Sequence, residues 1–356
     1  MSTYPISCVF ASDRSALAAV DSLLASEGIC RDAHLDYTCA MFEEGRAIAT
    51  GSCFGNTLRC MAVAKDHQGE HLMNQIVTHL MDVESQRGIY RLFLYTKCRS
   101  AKVFASLGFH EVARAEGQAV FMENRSDGFP NYLASLKRMR IEAKRSSAIV
   151  MNANPFTNGH LHLIQTAART SDIVHLFILS EDASIFPFAV RKNLVQEGIA
   201  DIPNVVIHDS GPYIISMSTF PSYFLGDDLS VARSHAELDV SIFCRIAKAL
   251  GITERFCGQE RPGSVTAIYN DVMAHELPAA GIRFSVIPRI TANGSKATDG
   301  SKRQPVSAST VRRLLKEGNL EAVRELVPPS TYAYLSSAKA EPVLARIRAT
   351  KDLVHH

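Results

Sequence analysis

From residue 148 onward, apolar runs of strand length recur at intervals filled by helical segments, and this rhythm most constrains the fold of the chain. The runs at 148–151, 173–179, 205–208, 255–257 and 284–287 predict strands. Segments near 159–170, 187–200, 239–250, 266–276 and 309–318 predict helices between them. Strand, helix, strand in repetition is the pattern of a parallel sheet with crossover connections.

The chain has 356 residues, too many for one ordinary core and enough for two domains. Its first 130 residues have a different texture, with short apolar segments and turns such as Ala47-Ile-Ala-Thr-Gly51 and Cys60-Met-Ala-Val-Ala64. A helix is expected over 72–84, a strand over 91–95 and a short helix ending in Leu107-Gly-Phe109. The expected organisation is α/β. A mixed α and β domain spans 1–130, a basic helical linker 131–147, a parallel-sheet domain 148–336 and a tail 337–356. Lys137, Arg138, Arg140, Lys144 and Arg145 of the linker are read as a face turned to water. The segment 291–304 is a polar, lysine-bearing loop of the kind that orders around a ligand.

Lys and Arg (38) nearly balance Asp and Glu (36), which argues against a nucleic-acid or membrane-surface partner held by overall charge. Any polyanion must be met by a local site. The start of the chain lacks the regions of a signal peptide and no apolar run reaches membrane-spanning length, so the expectation is a cytoplasmic protein. Eight cysteines, with no Cys-x-x-Cys pair, read as reduced and mostly buried thiols; no metal-ligand set is nominated.

The chemistry concentrates at the first strand of the second domain, Met151-Asn-Ala-Asn-Pro-Phe-Thr-Asn-Gly-His160. Strand–loop–helix junctions of open parallel sheets bind ligands because loop amides and helix N-termini converge there. Pro155 ends the strand, Thr157 or Asn158 can cap the helix, and Gly159 permits close approach of backbone or phosphate. His160 then falls in the first turn. A cation there opposes the helix dipole by about 0.3 to 1 kcal/mol unless an anion shares the N-terminus; the alternative is a neutral imidazole packed on the loop.

A second junction, Pro305-Val-Ser-Ala-Ser-Thr-Val-Arg-Arg-Leu-Leu-Lys-Glu-Gly318, repeats the argument. Ser309 is the expected N-cap and Gly318 the expected stop, with Arg312 and Arg313 in the first turn. Ser307 and Ser309 can donate to phosphate oxygens and Arg312 can add a forked contact, while Arg313 points elsewhere. Arg191, near the start of another helix, gives a third cation. Together these predict a focused pocket for a triphosphate.

Asn154-Pro-Phe-Thr-Asn-Gly-His160 resembles the (His/Thr)-x-Gly-His element of the nucleotidyltransferase superfamily, and Val306-Ser-Ala-Ser-Thr-Val-Arg312 its Ile-Ser-x-(Ser/Thr)-x-x-Arg element. More narrowly, Ile149-Val-Met-Asn-Ala-Asn-Pro-Phe-Thr157, Ser180-Glu-Asp182 with Phe186-Pro-Phe188, Tyr213-Ile-Ile-Ser216, Thr219-Phe-Pro-Ser-Tyr-Phe224 and Val265-Thr-Ala-Ile-Tyr-Asn270 resemble the citrate lyase ligase family over about 146–336. The resemblance implies a Rossmann-like domain in which acetate and ATP, with Mg2+, give acetyl-adenylate. The acetyl group then passes to the phosphopantetheine-like thiol of the acyl-carrier subunit of citrate lyase. By position it makes His160 the stabiliser of the α-phosphate, assisted by Thr157. Arg191, Ser307, Ser309 and Arg312 then hold the β- and γ-phosphates, and Asn152, Asn154, Phe156, Gly159 and Gly258 line the nucleotide site.

The first domain resembles acetyltransferases of the GNAT type at Val63-Ala-Lys-Asp-His-Gln-Gly-Glu-His-Leu72, Leu92–Thr96 and Phe104-Ala-Ser-Leu-Gly-Phe109. The loop from Gln68 and Gly69 is the position for a pantetheine or coenzyme A arm, but His71 and Met73 stand where that loop ordinarily carries small residues. Two other readings are an adenylyltransferase acting on a phosphorylated small molecule and a non-catalytic acyl-carrier-binding protein.

Overall fold

The computed structural model describes residues 4–180, 184–214, 220, 228–259, 265–291 and 305–350. The chain divides into one unit of residues 1–132 and 221–241 and another of 133–220 and 242–356.

The first unit is built on β1 (Ile6–Cys8), α1 (Arg14–Ser26), β2 (Tyr37–Glu43), β3 (Arg46–Phe54), β4 (Thr57–Val63), α2 (Leu72–Gln86), β5 (Phe93–Lys97), α3 (Ala101–Ser106), β6 (His110–Ala115), β7 (Ala119–Glu123) and the start of α4 (Gly128–Arg138). Seven strands form one sheet in the order β1-β2-β3-β4-β5-β7-β6. All neighbours are antiparallel except β4 and β5. Asp13 caps α1 by accepting from the Ala16 amide, and Val20, Leu23 and Leu24 form its buried face. Gly51 of β3 is required by α2, since a Cβ there would stand 2.6 Å from Ile76 Cγ2 and 2.9 Å from Leu80 Cδ1.

β4 and β5 pair only at Thr57–Phe93 and Leu58–Leu94. A cavity of about 1010 Å3 lies beyond that pairing, lined by Met61 and Val63 of β4 and Tyr95 and Lys97 of β5. Gln68 and Gly69 sit on its wall. His71 precedes α2 at φ 59°, so its backbone keeps the left-handed shape that glycine favours while adding a side chain.

The second unit continues with β8 (Ser146–Met151), α5 (Asn158–Thr170), β9 (Ile173–Ile178), α6 (Phe188–Gly198), β10 (Val205–Asp209), the end of α7 (Asp228–Leu250), β11 (Glu254–Gly258), α8 (Val265–Ala279), β12 (Arg283–Ile287), α9 (Ala308–Lys316), α10 (Leu320–Val323), α11 (Pro329–Leu335) and α12 (Glu341–Ala349). Five strands run parallel in the order β10-β9-β8-β11-β12. The chain builds outward from β8 in one direction, then returns to build β11 and β12 on the other side. The order therefore reverses between β8 and β11, and the carboxyl ends of those two strands flank the crevice where such sheets bind ligands.

Several expectations change. Residues 338–349, expected as a tail, form a 3-10 turn and α12, because Val343 and Ile347 share a helix face and bury against Val311 and Leu315 of α9. The basic linker is helical only through Arg138; Arg140 pairs with Glu142 and Arg145 with Asp172 at exposed positions. Of the eight cysteines, none in a disulfide, only Cys39, Cys53 and Cys60 are buried, while Cys8 and Cys30 are exposed. Burial pushes the Cys39 and Cys60 thiols up to about 12, which leaves them inert. No helix among the described residues is long and apolar enough to cross a membrane.

One buried pair gives a pH prediction. His175 of β9 and His208 of β10 are 0% and 3% exposed, with Nδ1 of the first 2.8 Å from Nε2 of the second. Their other ring nitrogens have no partner among the described residues. Burial pushes both rings down to about 4 from the usual 6.5. The unfolded chain therefore binds more protons than the folded one between those values, and stability present above pH 6.5 is lost as pH falls toward 4. The loss is at most about 3 kcal/mol per ring, and less for rings that titrate as a pair. Urea unfolding from pH 7 to 4.5 is expected to show this slope, and a His175→Leu/His208→Leu double variant to flatten it.

Candidate active site

The segment after β8 is fixed before any ligand is considered. Thr157 caps α5, with backbone in the extended region and Oγ1 accepting from the His160 amide at 3.4 Å. In return the Thr157 amide donates to His160 Nδ1 at 3.1 Å, a capping box in which histidine takes the place of glutamate. Nδ1 is thereby an acceptor, and the ring hydrogen of the neutral imidazole resides on Nε2. Burial, with a smaller contribution from the charge of Arg289, pushes His160 down to about 4. His160 is therefore a neutral donor at a helix N-terminus, not the cation in conflict with the dipole that the sequence raised. The Phe156 ring stacks on it with centroids 6.1 Å apart.

The two signature junctions meet. Arg312 Nη1 donates to the Asn154 carbonyl at 2.6 Å, across 158 residues of sequence. A Cβ on Gly159 would stand 3.5 Å from the Val306 carbonyl oxygen, so the start of α5 lies against the approach to α9. Ser307 is the N-cap of α9, accepting from the Thr310 amide at 3.2 Å, and its Oγ lies 3.1 Å from Ser309 Oγ. Ser309, expected as the cap, is instead inside the helix because Ser307 already has the extended backbone of a cap. One consequence is that Arg312 and Arg313 lie in the second turn. Arg313 pairs with Glu317 at the surface, and Arg312 is 3% exposed.

Arg191, expected on phosphate, is fully buried. Its Nε donates to the Phe186 carbonyl at 2.9 Å, and its Nη1 reaches the carbonyls of Asn152 (2.9 Å) and Leu179 (2.8 Å) and Asn152 Oδ1 (2.9 Å). These contacts tie the ends of β8 and β9 to the start of α6. Asn152 also donates to Ser184 Oγ, and Asn154 Oδ1 accepts from the Phe186 amide. Phe156, expected at the nucleotide, is completely buried and packs on α6 where a Cβ on Gly198 would meet its ring at 2.6 Å. Arg191, Asn154 and Phe156 are buried and tied to the loops around them, while Gly159, His160, Ser307 and Ser309 are half-buried.

Gly258 ends β11, and no atom of the described residues lies within 4 Å of where its Cβ would be. Arg289, which the sequence reading passed over, follows β12 and donates from Nε to the Gln259 carbonyl at 2.6 Å. Its signal was positional only, a cation just beyond a strand's carboxyl end. Among the described residues no group of three or more His, Cys, Asp or Glu side chains can hold a metal ion. Glu181, Asp182, Ile215, Ser216, Thr219, residues 221–224 and the interior of the 291–304 loop lie outside the described residues.

Residues 146–335 match the family model of the citrate lyase ligase C-terminal domain. The citrate (pro-3S)-lyase ligase of Escherichia coli K12 is 36% identical over 92% of this chain and 92% of its own length. That of Klebsiella pneumoniae is 37% identical over 91% and 93%. Among solved structures, an acyl-CoA N-acyltransferase from Pseudomonas aeruginosa aligns at 11% identity with a TM-score of 0.30, covering 35% of this chain and 100% of that one. With both signature junctions joined at one crevice and relatives matched nearly end to end, the chain belongs to the citrate lyase ligase family.

Proposed function

We propose that this chain is an ATP-dependent acid–thiol ligase that adenylates acetate and transfers the acetyl group to the prosthetic-group thiol of the citrate lyase acyl carrier. The observation that carries the reading is the neutral His160, locked by the Thr157 amide with its hydrogen on Nε2, at the helix start where the two junctions meet. A carboxylate oxygen of acetate attacks the α-phosphorus, the bond to the bridging oxygen breaks, and pyrophosphate leaves with its electron pair. Acetate is already ionised, so this step needs no base. It needs donors aimed at the phosphoryl oxygens, which His160 Nε2–H, the α5 amides beside Gly159 and the hydroxyls of Ser307 and Ser309 supply.

In the second step the carrier thiol sulfur attacks the acetyl carbonyl, AMP departs, and a thioester and one proton are the remaining products. The divalent cation that accompanies a triphosphate would be held mainly by the phosphates. Arg312 and Arg191 act through the loop by fixing the Asn154 and Asn152 carbonyls. Pyrophosphate release that depends on acetate tests the reading; release that depends on a phosphorylated small molecule supports an adenylyltransferase instead.

The cavity beside the parted strands β4 and β5 supports a role for the first unit in holding the pantetheine-like arm, with Gln68 and Gly69 on its wall. Val103 lies on its lining and is 45% exposed, so it can be enlarged without disturbing the core. Val103→Trp in the full chain is expected to slow acetyl transfer to the carrier by on the order of tenfold while leaving acetate-dependent pyrophosphate release unchanged. Equal rates for both steps would leave the cavity without a part in transfer.

A further inference from the structure

The loops around the crevice rest on a helix that neither signature junction contains. α12 (Glu341–Ala349) lies beyond residues 146–335, which carry the family match. Its inward residues Val343 and Ile347 share one apolar cluster with Ile185 and Phe186, which precede α6, and with Val311 and Leu315 of α9. A single nine-residue helix is therefore packed against the supports of two site-forming segments at once.

Polar contacts run in the same two directions. Toward α9, the carbonyl of Thr350, just past α12, accepts from Lys316 Nζ at 2.6 Å. Toward the segment before α6, Arg346 Nη2 donates to the Ser184 carbonyl at 3.4 Å. Ser184 is 2% exposed, and its Oγ accepts from Asn152 Nδ2 at 3.0 Å. Two residues on, the Phe186 amide donates to Asn154 Oδ1 at 3.1 Å. Asn152 and Asn154 stand between the end of β8 and the Thr157 cap of α5. A shift of Ser184 is thereby passed to the stretch of chain that sets His160.

We propose that Arg346 is a positioning residue of the adenylation site, holding the 184–186 segment so that Asn152 and Asn154 fix the start of α5 against the nucleotide. The inference rests on the function proposed above for the reaction it serves. Arg346 acts through Ser184 and touches no substrate. Its side chain is exposed while Val343 and Ile347 hold the helix, so removing the guanidinium frees the segment without unfolding α12.

The test uses the full chain as wild type, Arg346→Ala, Arg346→Lys and, as control, Arg348→Ala. Arg348 lies on the same helix and pairs with Glu341 of that helix. The readings are amide hydrogen exchange over 184–187, ATP affinity by calorimetry without acetate, kcat for acetate-dependent pyrophosphate release, and the urea midpoint. Arg346→Ala is expected to speed exchange over 184–187 by on the order of tenfold, with the midpoint unchanged. It is expected to weaken ATP binding by about threefold or more and to lower kcat by on the order of tenfold, because a small misplacement of site groups is felt in the rate. Arg346→Lys is expected to recover part of each loss, since an ammonium can still donate to one carbonyl, and Arg348→Ala to match wild type.

ATP affinity and kcat in Arg346→Ala both within about twofold of wild type overturn the inference. So does a lowered midpoint that accounts for the whole loss of activity, with faster exchange across the second unit rather than over 184–187, which makes Arg346 a staple of the fold alone. A wild-type chain that binds ATP but shows no acetate-dependent pyrophosphate release counts against the proposed reaction, while exchange and ATP affinity still decide the place of Arg346.

Discussion

Replacing His160 by alanine is expected to lower acetate-dependent pyrophosphate release by on the order of a hundredfold or more, and to cost about 1 kcal/mol of folding stability because the Thr157 amide loses its acceptor. The magnitude follows from the loss of one preorganised donor at a centre where charge develops. The direction follows from the tautomer: Nδ1 is occupied by the Thr157 amide at 3.1 Å, so the ring can act only through Nε2–H. Because the imidazole is held neutral down to about pH 4, the activity is expected to show no His160 titration between pH 6 and 8. His160→Gln, which can place an amide donor nearby, is expected to lie between alanine and wild type. Steady-state release with saturating ATP and acetate makes the comparison. Unchanged turnover in His160→Ala removes the residue from the phosphoryl step.

The second large effect concerns Arg191. Alanine at this position would strand the buried carbonyls of Asn152, Leu179 and Phe186, each of which now accepts from the guanidinium. A loss of about 3 kcal/mol or more in unfolding free energy is expected, since each buried acceptor left without a donor costs about 1 to 3 kcal/mol. Urea unfolding followed by fluorescence or circular dichroism measures it. A phosphate ligand would behave in the opposite way, with weaker ATP binding and an unchanged midpoint. Arg191→Lys is expected to be nearly as destabilising, because an ammonium cannot span carbonyls from three separate segments.

The strands of the second unit were legible because fully buried parallel strands are nearly continuous apolar runs. The runs at 148–151, 173–179, 205–208, 255–257 and 284–287 each overlap one of β8 to β12, with ends shifted by a residue or two. Thr157 as a cap was legible for a similar reason, since side-chain capping is a local interaction. Whether a polar or cationic side chain faces ligand or scaffold is not local. Arg191 and Arg312 read as phosphate ligands from their places near helix starts, while the carbonyls they hold lie 5 to 158 residues away in sequence. Phe156 read as a pocket residue because it adjoins Thr157, while its packing against Gly198 depends on how α6 returns to the sheet. Ser309 and Ser307 are equally good caps by composition, and only the extended backbone at Ser307 separates them. Arg289 carried no motif at all, and its contact with the residue after β11 follows from the strand order β8-β11-β12.

The helix α12 was missed because it is short and amphipathic, with exposed Arg346 donating to the Ser184 carbonyl and exposed Arg348 to Glu341 of the same helix, while Val343 and Ile347 face inward. A nine-residue helix of this kind has little propensity of its own and is held by the face it buries.

Mass spectrometry of the acyl-carrier subunit after incubation with this chain, ATP and acetate tests the central claim most directly. The account predicts one added acetyl group on the prosthetic-group thiol, formed only when both ATP and acetate are present and accompanied by AMP and pyrophosphate. A carrier that stays unmodified under those conditions, or that gains a nucleotidyl group in place of acetyl, contradicts it.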